Sequence, residues 1–505
     1  MARRLLVPLV LALTVIAVAV FAGTRGPDDT DRPDRDRAGE QIGEEQGGEE
    51  QGGEDRGGAE ELQEQQETTQ ERLEALREAK ANGTFGRRER VVLAAAPGWA
   101  GEQLMNVSTD DWEPAIAADP NAPFVYMLTT RYAPKPCPGN CPSPWMALEI
   151  SSDGGVTWSN GVPLCACKGS GQFDPIIEVV PNTGHVYAVY MNGYNVVFTK
   201  STNHGQTWSV PVKTYGRVSW NDKPVLAMSD DGQHVYVSWN GPNAGDPYIA
   251  QSHDFGATWT QTRIENGPRY FFAYDADVLP ASVAPNGTVV FSESSILYGG
   301  QGSTPEGVVQ HHVFVSTNQG ASWQNIVVDS VELGEACVAA GCYSDFYAGH
   351  SGVSADAAGN LVMVYDGATT PGGRQLSFSK TSTNGGLTWS PRTTLSTVGE
   401  QSTAPVVESR GAGDVRVWYA QTNGGDHDAW DIWYRSSTNG GVSWTAPVDI
   451  SDAISGAAYK TAAGFQEFYG DYGEIAITSA GKTIGVWGEA FSYTGPGGTW
   501  FNRQT

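Results

Sequence analysis

The octapeptides SSDGGVTW (151–158), STNHGQTW (201–208), SHDFGATW (252–259), STNQGASW (316–323), STNGGLTW (382–389) and STNGGVSW (437–444) share one pattern, Ser-x-Asp/Asn-x-Gly-x-Thr/Ser-Trp. Each follows an apolar extended run such as NVVFTK (195–200) and precedes another such as SVPVKT (209–214), which places it in a hairpin turn. The side chains of Asp153, Asn203, Asp254, Asn318, Asn384 and Asn439 are expected to cap the turn's backbone N–H groups. Gly supplies a left-handed φ, and Trp158, Trp208, Trp259, Trp323, Trp389 and Trp444 are expected to pack back over the hairpin. A turn used six times in one chain is a scaffold device and not a ligand contact.

A second unit recurs upstream: an extended run, a Gly, Asn or Asp turn, and another extended run. Examples are DPIIEVVPNTGHVYAVYM (174–191), KPVLAMSDDGQHVYVSW (223–239) and APVVESRGAGDVRVWYA (404–420). Two such strands, a third before the octapeptide and a fourth after it make the four-stranded blade of a β-propeller. The octapeptide Trp residues lie 50, 51, 64, 66 and 55 positions apart, so residues 105–505 hold seven such steps. The last unit, ending in GTWFNRQT (498–505), has no octapeptide and supplies three strands. Arg90–Ala95 (RVVLAA) is the expected fourth strand, closing the ring so that no edge stays open. The fold class is all-β, a propeller of seven rather than six four-stranded blades.

The octapeptide resembles the Asp-box, or bacterial neuraminidase repeat, of sialidases and related β-propellers. The resemblance implies boxes on the periphery, an active site on the opposite face and a carbohydrate substrate. Sialidases have six blades, so the spacing here departs from the family. In that family three Arg hold the sialate carboxylate, a Tyr and Glu pair acts as nucleophile and base, and an Asp as acid and base. The first Arg stands in a Phe-Arg-Ile-Pro motif. The matching stretch here, Asp111-Trp112-Glu113-Pro114, lacks it, and Glu113 would repel a carboxylate. Arg131, Arg269 and Arg374 are substitute cations, and Glu293 with Tyr298 and Tyr472 with Glu474 are the nearest Tyr and Glu pairs.

Acidic and aromatic residues recur together just before the first strand of a blade: Trp112 and Glu113, Phe173 and Asp174, Trp220 and Asp222, Tyr274 and Asp277, Asp471 and Tyr472. Aromatic faces stack on sugar C–H surfaces and carboxylates accept from hydroxyls, so this is carbohydrate-site chemistry. Asp174, Asp222, Asp277, Asp471 and Tyr472 are the catalytic candidates; Trp112, Glu113, Arg131, Phe173, Trp220 and Tyr274 are the substrate-binding ones. Glu113, Asp174, Asp222, Asp277 and Asp471 are expected to converge around one axial opening. The alternative is that they cap blade junctions. No cofactor is required; Asp426, Asp428 and Asp431 in GGDHDAWD have the short oxygen-ligand spacing of a Ca²⁺ loop, or of a solvated turn.

Residues 1–23 read as an export signal or signal anchor, with Arg3 and Arg4 before an apolar run from Leu5 to Ala22. Residues 24–88 form an acidic low-complexity linker, disordered except for a solvated helix expected over 59–81; the propeller takes 89–505. A net charge of −26 excludes nucleic acid and anionic membrane surfaces as partners, leaving carbohydrate or another protein. A secreted or membrane-tethered monomer is expected. In that compartment Cys137, Cys141, Cys165, Cys167, Cys337 and Cys342 are expected to form disulfides, Cys337 and Cys342 closing one short loop. Four Cys within 31 residues leave structural zinc as the alternative. Two functions follow: a glycoside hydrolase with a non-standard site, or a non-catalytic glycan- or protein-binding propeller.

Overall fold

The computed structural model describes residues 70, 72–82, 95–106, 108–136, 141–165, 171–218, 220–242, 245–298, 305–334, 349–423, 426–451, 460–461, 464–465, 473–490 and 497–505. The signal segment, most of the acidic tract, Arg90–Ala94 and the Cys337–Cys342 loop lie outside them, as do Asp471 and Tyr472. No helix among the described residues is long and apolar enough to cross a membrane.

All but two of the described strands group into seven antiparallel units of four; Lys460–Thr461 and Gly464–Phe465 pair as a separate hairpin. Unit one is Asp110–Ala118, Val125–Tyr132, Trp145–Ser151 and Val162–Pro163; unit two is Gln172–Val179, Val186–Asn192, Val196–Ser201 and Val212–Lys213. Unit three is Asp222–Met228, Val235–Asn240, Pro247–Ser252 and Thr260–Arg263; unit four is Arg269–Val278, Val289–Tyr298, Pro305–Ser316 and Gln324–Glu332. Unit five is Ser351–Ala355, Leu361–Ala368, Gln375–Ser382 and Thr393–Thr394; unit six is Ser402–Ser409, Val415–Asn423, Asp426–Ser437 and Val448–Asp449. Unit seven is Glu474–Ile477, Thr483–Ala490 and Gly497–Arg503, with Gln103–Leu104 as its outer strand. Each first strand packs on the first strand of the next unit, and Glu474–Ile477 packs back on Asp110–Ala118, so the cycle is closed. This is a β-propeller.

The closing strand differs from expectation. Gln103 and Leu104 pair with Phe501 and Trp500, and Trp99 bridges Gln504, so residues 99–105 occupy the edge expected for Arg90–Ala95, of which only Ala95 is among the described residues. Most outer strands here have only two residues, such as Val162–Pro163 and Val212–Lys213, too few to show a readable alternation.

The octapeptide turns act between units as well as within them. In the first, Asp153 Oδ1 accepts from Val156 N at 3.1 Å and Thr157 N at 2.9 Å, while Gly155 N donates to Ser151 Oγ at 2.8 Å. Asn203, Asn318, Asn384 and Asn439 accept the equivalent N–H at 2.9–3.0 Å, and Asp254 accepts Thr258 N at 2.8 Å. The Trp residues reach further than expected, onto the preceding unit. Trp158 packs edge-on to Phe501 of unit seven, Trp259 against Phe198 of unit two, and Trp323 edge-on to Tyr236 of unit three. Trp444 donates its indole N–H to Ser379 of unit five at 3.2 Å. Gly256 shows why no other residue serves: its φ is +79°, and a Cβ there would come within 2.1 Å of Phe198.

These turns lie at one end of the strands. Register puts Ala118, Val125 and Ser151 together at the turn end of unit one, and Asp110, Tyr132 and Trp145 at the other. The second end carries the loops between second and third strands and the connections between units.

Trp208, half-buried against the core shared by units one and two, tests the scaffold role. Trp208→Ala should destabilise by about 3 kcal/mol, seen as a lower melting temperature by circular dichroism. An unchanged midpoint would refute it. For closure, a chain beginning at residue 107 should expose the Gly497–Arg503 edge and aggregate in light scattering, whereas one beginning at residue 95 should stay soluble. Equal solubility of the two would contradict the closure.

Candidate functional site

First strands aim side chains at a neighbouring unit, and five of the seven do so through a bulge. The register slips by one residue between Trp112 and Ala115, Phe173 and Ile176, Asp222 and Val225, Ala273 and Asp275, and Thr403 and Val406. Glu113 (φ 54°), Asp174 (φ 49°), Lys223 (φ 47°) and Ala404 (φ 49°) take left-handed backbone there, each directly before a Pro. A bulge re-aims a side chain out of the strand's alternation.

Several of these side chains bind the next unit. Glu113 Oε2 accepts Asp174 N at 2.9 Å and Thr130 Oγ1 at 2.7 Å. Asp366 of unit five accepts Ala404 N at 3.0 Å and Thr403 Oγ1 at 2.7 Å in unit six. Asp275 accepts Val353 N at 2.9 Å, Asp277 accepts Ala355 N at 2.7 Å, and Glu474 of unit seven accepts Ile116 N at 2.6 Å in unit one. Capping of junctions is therefore the geometry found for Glu113 and Asp277.

The expected convergence of five carboxylates on one opening is not found among the described residues. An axial cavity of about 370 Å³ is lined by Asp277, Tyr274, Asp275, Glu178, Glu408 and Glu474, but by none of Glu113, Asp174 and Asp222. Register explains the split. Glu113 sits within its bulge, whereas Asp277 pairs with Val290 beyond the bulge of unit four, deeper along the axis. Glu178 and Glu408 occupy the corresponding depth, and their signal was present in sequence as one charge inside each of the apolar runs Pro-Ile-Ile-Glu-Val and Pro-Val-Val-Glu-Ser. Burial, together with the neighbouring carboxylates, pushes Glu178, Glu408 and Glu474 well above the usual carboxylate range. Burial likewise raises Asp275 to about 8 and Asp277 to about 6.

The remaining candidates divide by exposure. Arg131, expected as a substrate cation, is 2% exposed. Its Nε and Nη2 donate to Asp111 at 2.7 Å each, and Nη2 donates to Glu149 at 2.5 Å, so it is consumed inside unit one. Arg269 is spent on Ser295 Oγ, Ser295 O and Val308 O; Arg374 is exposed. Glu293 is fully buried, accepts Ser238 Oγ at 2.6 Å and does not line the axial cavity; the side chain of its expected partner Tyr298 lies outside the described residues. Asp431 is buried in its strand beside Ser451, and the side chains of Asp426 and Asp428 lie outside the described residues. No described cysteine, Cys141 and Cys165 included, is a free thiol.

At the loop end, Trp112 and Phe173 are both buried in one apolar cluster at the junction of units one and two. At the next junction Trp220 lies half-buried and stacked on Tyr194, with centroids 5.7 Å apart and planes 20° apart. Asp222 follows it, capping Lys223 N at 3.0 Å. Trp220 holds φ 57°, rare for a bulky residue.

No protein-family model matches the chain, and no curated protein matches it. Among solved structures it is similar to a protein of unknown function from Dyadobacter fermentans, at 12% identity and a TM-score of 0.45, covering 81% of this chain and 99% of that one. It is similar to an ulvan lyase, described as a polysaccharide lyase, at 10% identity and 0.46, covering 80% and 94%. It is also similar to a mutant sialidase of Streptococcus pneumoniae, at 12% identity and 0.41, covering 78% and 68%.

The raised carboxylates set a pH dependence. In the fold they hold protons that the unfolded chain releases above about pH 4, so stability falls as pH rises from about 4 toward 8. Carboxylates held low, such as Asp153 and Asp254 at about 2, withdraw stability only at more acid pH. The melting temperature should peak near pH 5, and Asp275→Asn should raise it at pH 8 and flatten the decline, measured by calorimetry from pH 4.5 to 8.5. A variant less stable than the parent at pH 8 would overturn this assignment.

Proposed function

We propose that the chain is an exported β-propeller, secreted or held at the membrane by residues 1–23, whose loop end binds carbohydrate. The observation that carries this reading is the Tyr194 and Trp220 stack, half-buried on the end opposite the octapeptide turns, with Asp222 two residues further along the chain. An aromatic face offers area to a sugar's C–H surface, and nearby oxygens accept from its hydroxyls. The left-handed backbone at Trp220 costs of order 1–3 kcal/mol, and strain of that kind concentrates at ligand sites. The ligand is a neutral or cationic glycan, because the chain carries a net charge of −26 and Arg131 and Arg269 are bound internally. Binding requires no cofactor.

A hydrolytic reading has one observation in its favour. Asp275, raised to about 8 in the axial cavity, keeps a proton at neutral pH and so has the property of a general acid. Titrating a panel of neutral, amino-sugar and sialylated oligosaccharides separates the two. Neutral or amino-sugar ligands should bind, and Trp220→Ala should weaken binding at least tenfold with the melting temperature nearly kept. Turnover of a glycoside that Asp275→Asn abolishes would favour hydrolysis, and hydrolysis of a sialoside or absence of any binding would reject the proposal.

A further inference from the structure

Arg72 stands in the Glu- and Gln-rich tract that the sequence assigns to a solvated spacer, yet it is only 1% exposed. Residues 72–82 form a helix, and Arg72 and Leu76, one turn apart, are its two buried residues. The guanidinium carbon lies 3.4 Å from the Trp112 ring centroid and 4.6 Å from that of Tyr132, with Nη1 3.9 Å from Asp110 Oδ2. Trp112 and Tyr132 meet edge-on at 6.4 Å and 62°, forming two walls of one pocket.

The walls belong to the propeller and not to the helix. Asp110 pairs with Tyr132 and Trp112 with Thr130 in the first two strands of unit one, and Asp110 Oδ1 accepts Gly497 N of unit seven at 3.1 Å. The surrounding field is negative: burial raises the Tyr132 hydroxyl's pKa, and Glu113, Asp110 and Asp174 push it up further, against the lowering by Arg72. Two aromatic faces beside carboxylates suit a planar, weakly hydrated guanidinium better than an ammonium.

We propose that Asp110, Trp112 and Tyr132 form a guanidinium-binding site occupied by the chain's own Arg72, whose external ligand is the arginine side chain of a peptide. Among residues 72–82 only Arg72 and Leu76 are buried, and a tract so rich in Glu and Gln has little other apolar surface to dock, so its attachment is reversible. An incoming arginine competes with a tethered one, and its apparent affinity is reduced by the fraction of sites that Arg72 fills. The inference is independent of the carbohydrate reading, which rests on the next junction.

The test is calorimetric titration of the whole exported chain with N-acetylarginine amide, and with N-acetyllysine amide for comparison. Arg72→Gln should bind the arginine probe at least tenfold more tightly than the parent, and the lysine probe at least tenfold less tightly than arginine. Adding Asp110→Asn or Trp112→Leu to Arg72→Gln should each abolish binding; an unchanged circular dichroism spectrum and cooperative melting serve as the check that the fold survives. In the parent, an arginine-bearing peptide should speed hydrogen exchange over residues 72–82. Absence of arginine binding in Arg72→Gln, equal binding of lysine, or unchanged exchange of the helix in that variant would each overturn the site.

Discussion

A propeller stands or falls on how each sheet holds its neighbour, because the sheets share almost no backbone ladder. Units four and five are linked by a single pair, Glu332 with Ala368; the other units form separate sheets. Cohesion comes instead from two directed devices. Near the axis, carboxylates and amides of one unit accept N–H groups from the first strand of the next, as Glu474 does for Ile116 and Asp275 for Val353. At the far end of the strands, the octapeptide Gly and Trp lie against the unit before. Innermost strands have an unpaired edge, and a buried N–H left without an acceptor costs about as much as a lost hydrogen bond. Side-chain acceptors meet that need without adding a strand.

The same solution brings acid groups to the axis. Asp275, Asp277 and Glu474 each accept a backbone N–H, which favours the charged form, yet burial and mutual repulsion outweigh this and their pKa values rise. Asp366 shows the opposite balance: it is more deeply buried, yet with His350, Thr403 and two backbone N–H groups on it its pKa falls. The number and charge of partners decide the direction.

The two ends of the strands are thereby given different work. Turn residues are committed to hydrogen bonds within the octapeptide and to packing on the preceding unit. At the other end the connections carry aromatic side chains, some buried as anchors and some, like Trp220, presented at the surface. Arg72 and Trp112 show that this end already accepts a cation on an aromatic face. Ligand chemistry belongs where the backbone is not fully spent on holding units together.

The repeat, the hairpin turn, the four-stranded unit and the need for Gly at a positive φ were all legible in the sequence, because each is a local property written within a few residues. The candidate site was legible only as residue types: Trp112, Phe173 and Trp220 stand out in the sequence, whereas Glu178, Tyr132 and Arg72 do not, and Arg131 reads as a substitute cation for a substrate. What the tertiary structure decided is which charges meet. Arg131 is consumed by Asp111 and Glu149, Asp110 is oriented by Gly497 from 387 positions away, and a spacer arginine is buried in unit one. Periodicity reports local conformation, whereas the cost of a buried charge is set by partners that only the closed ring brings within a few ångströms.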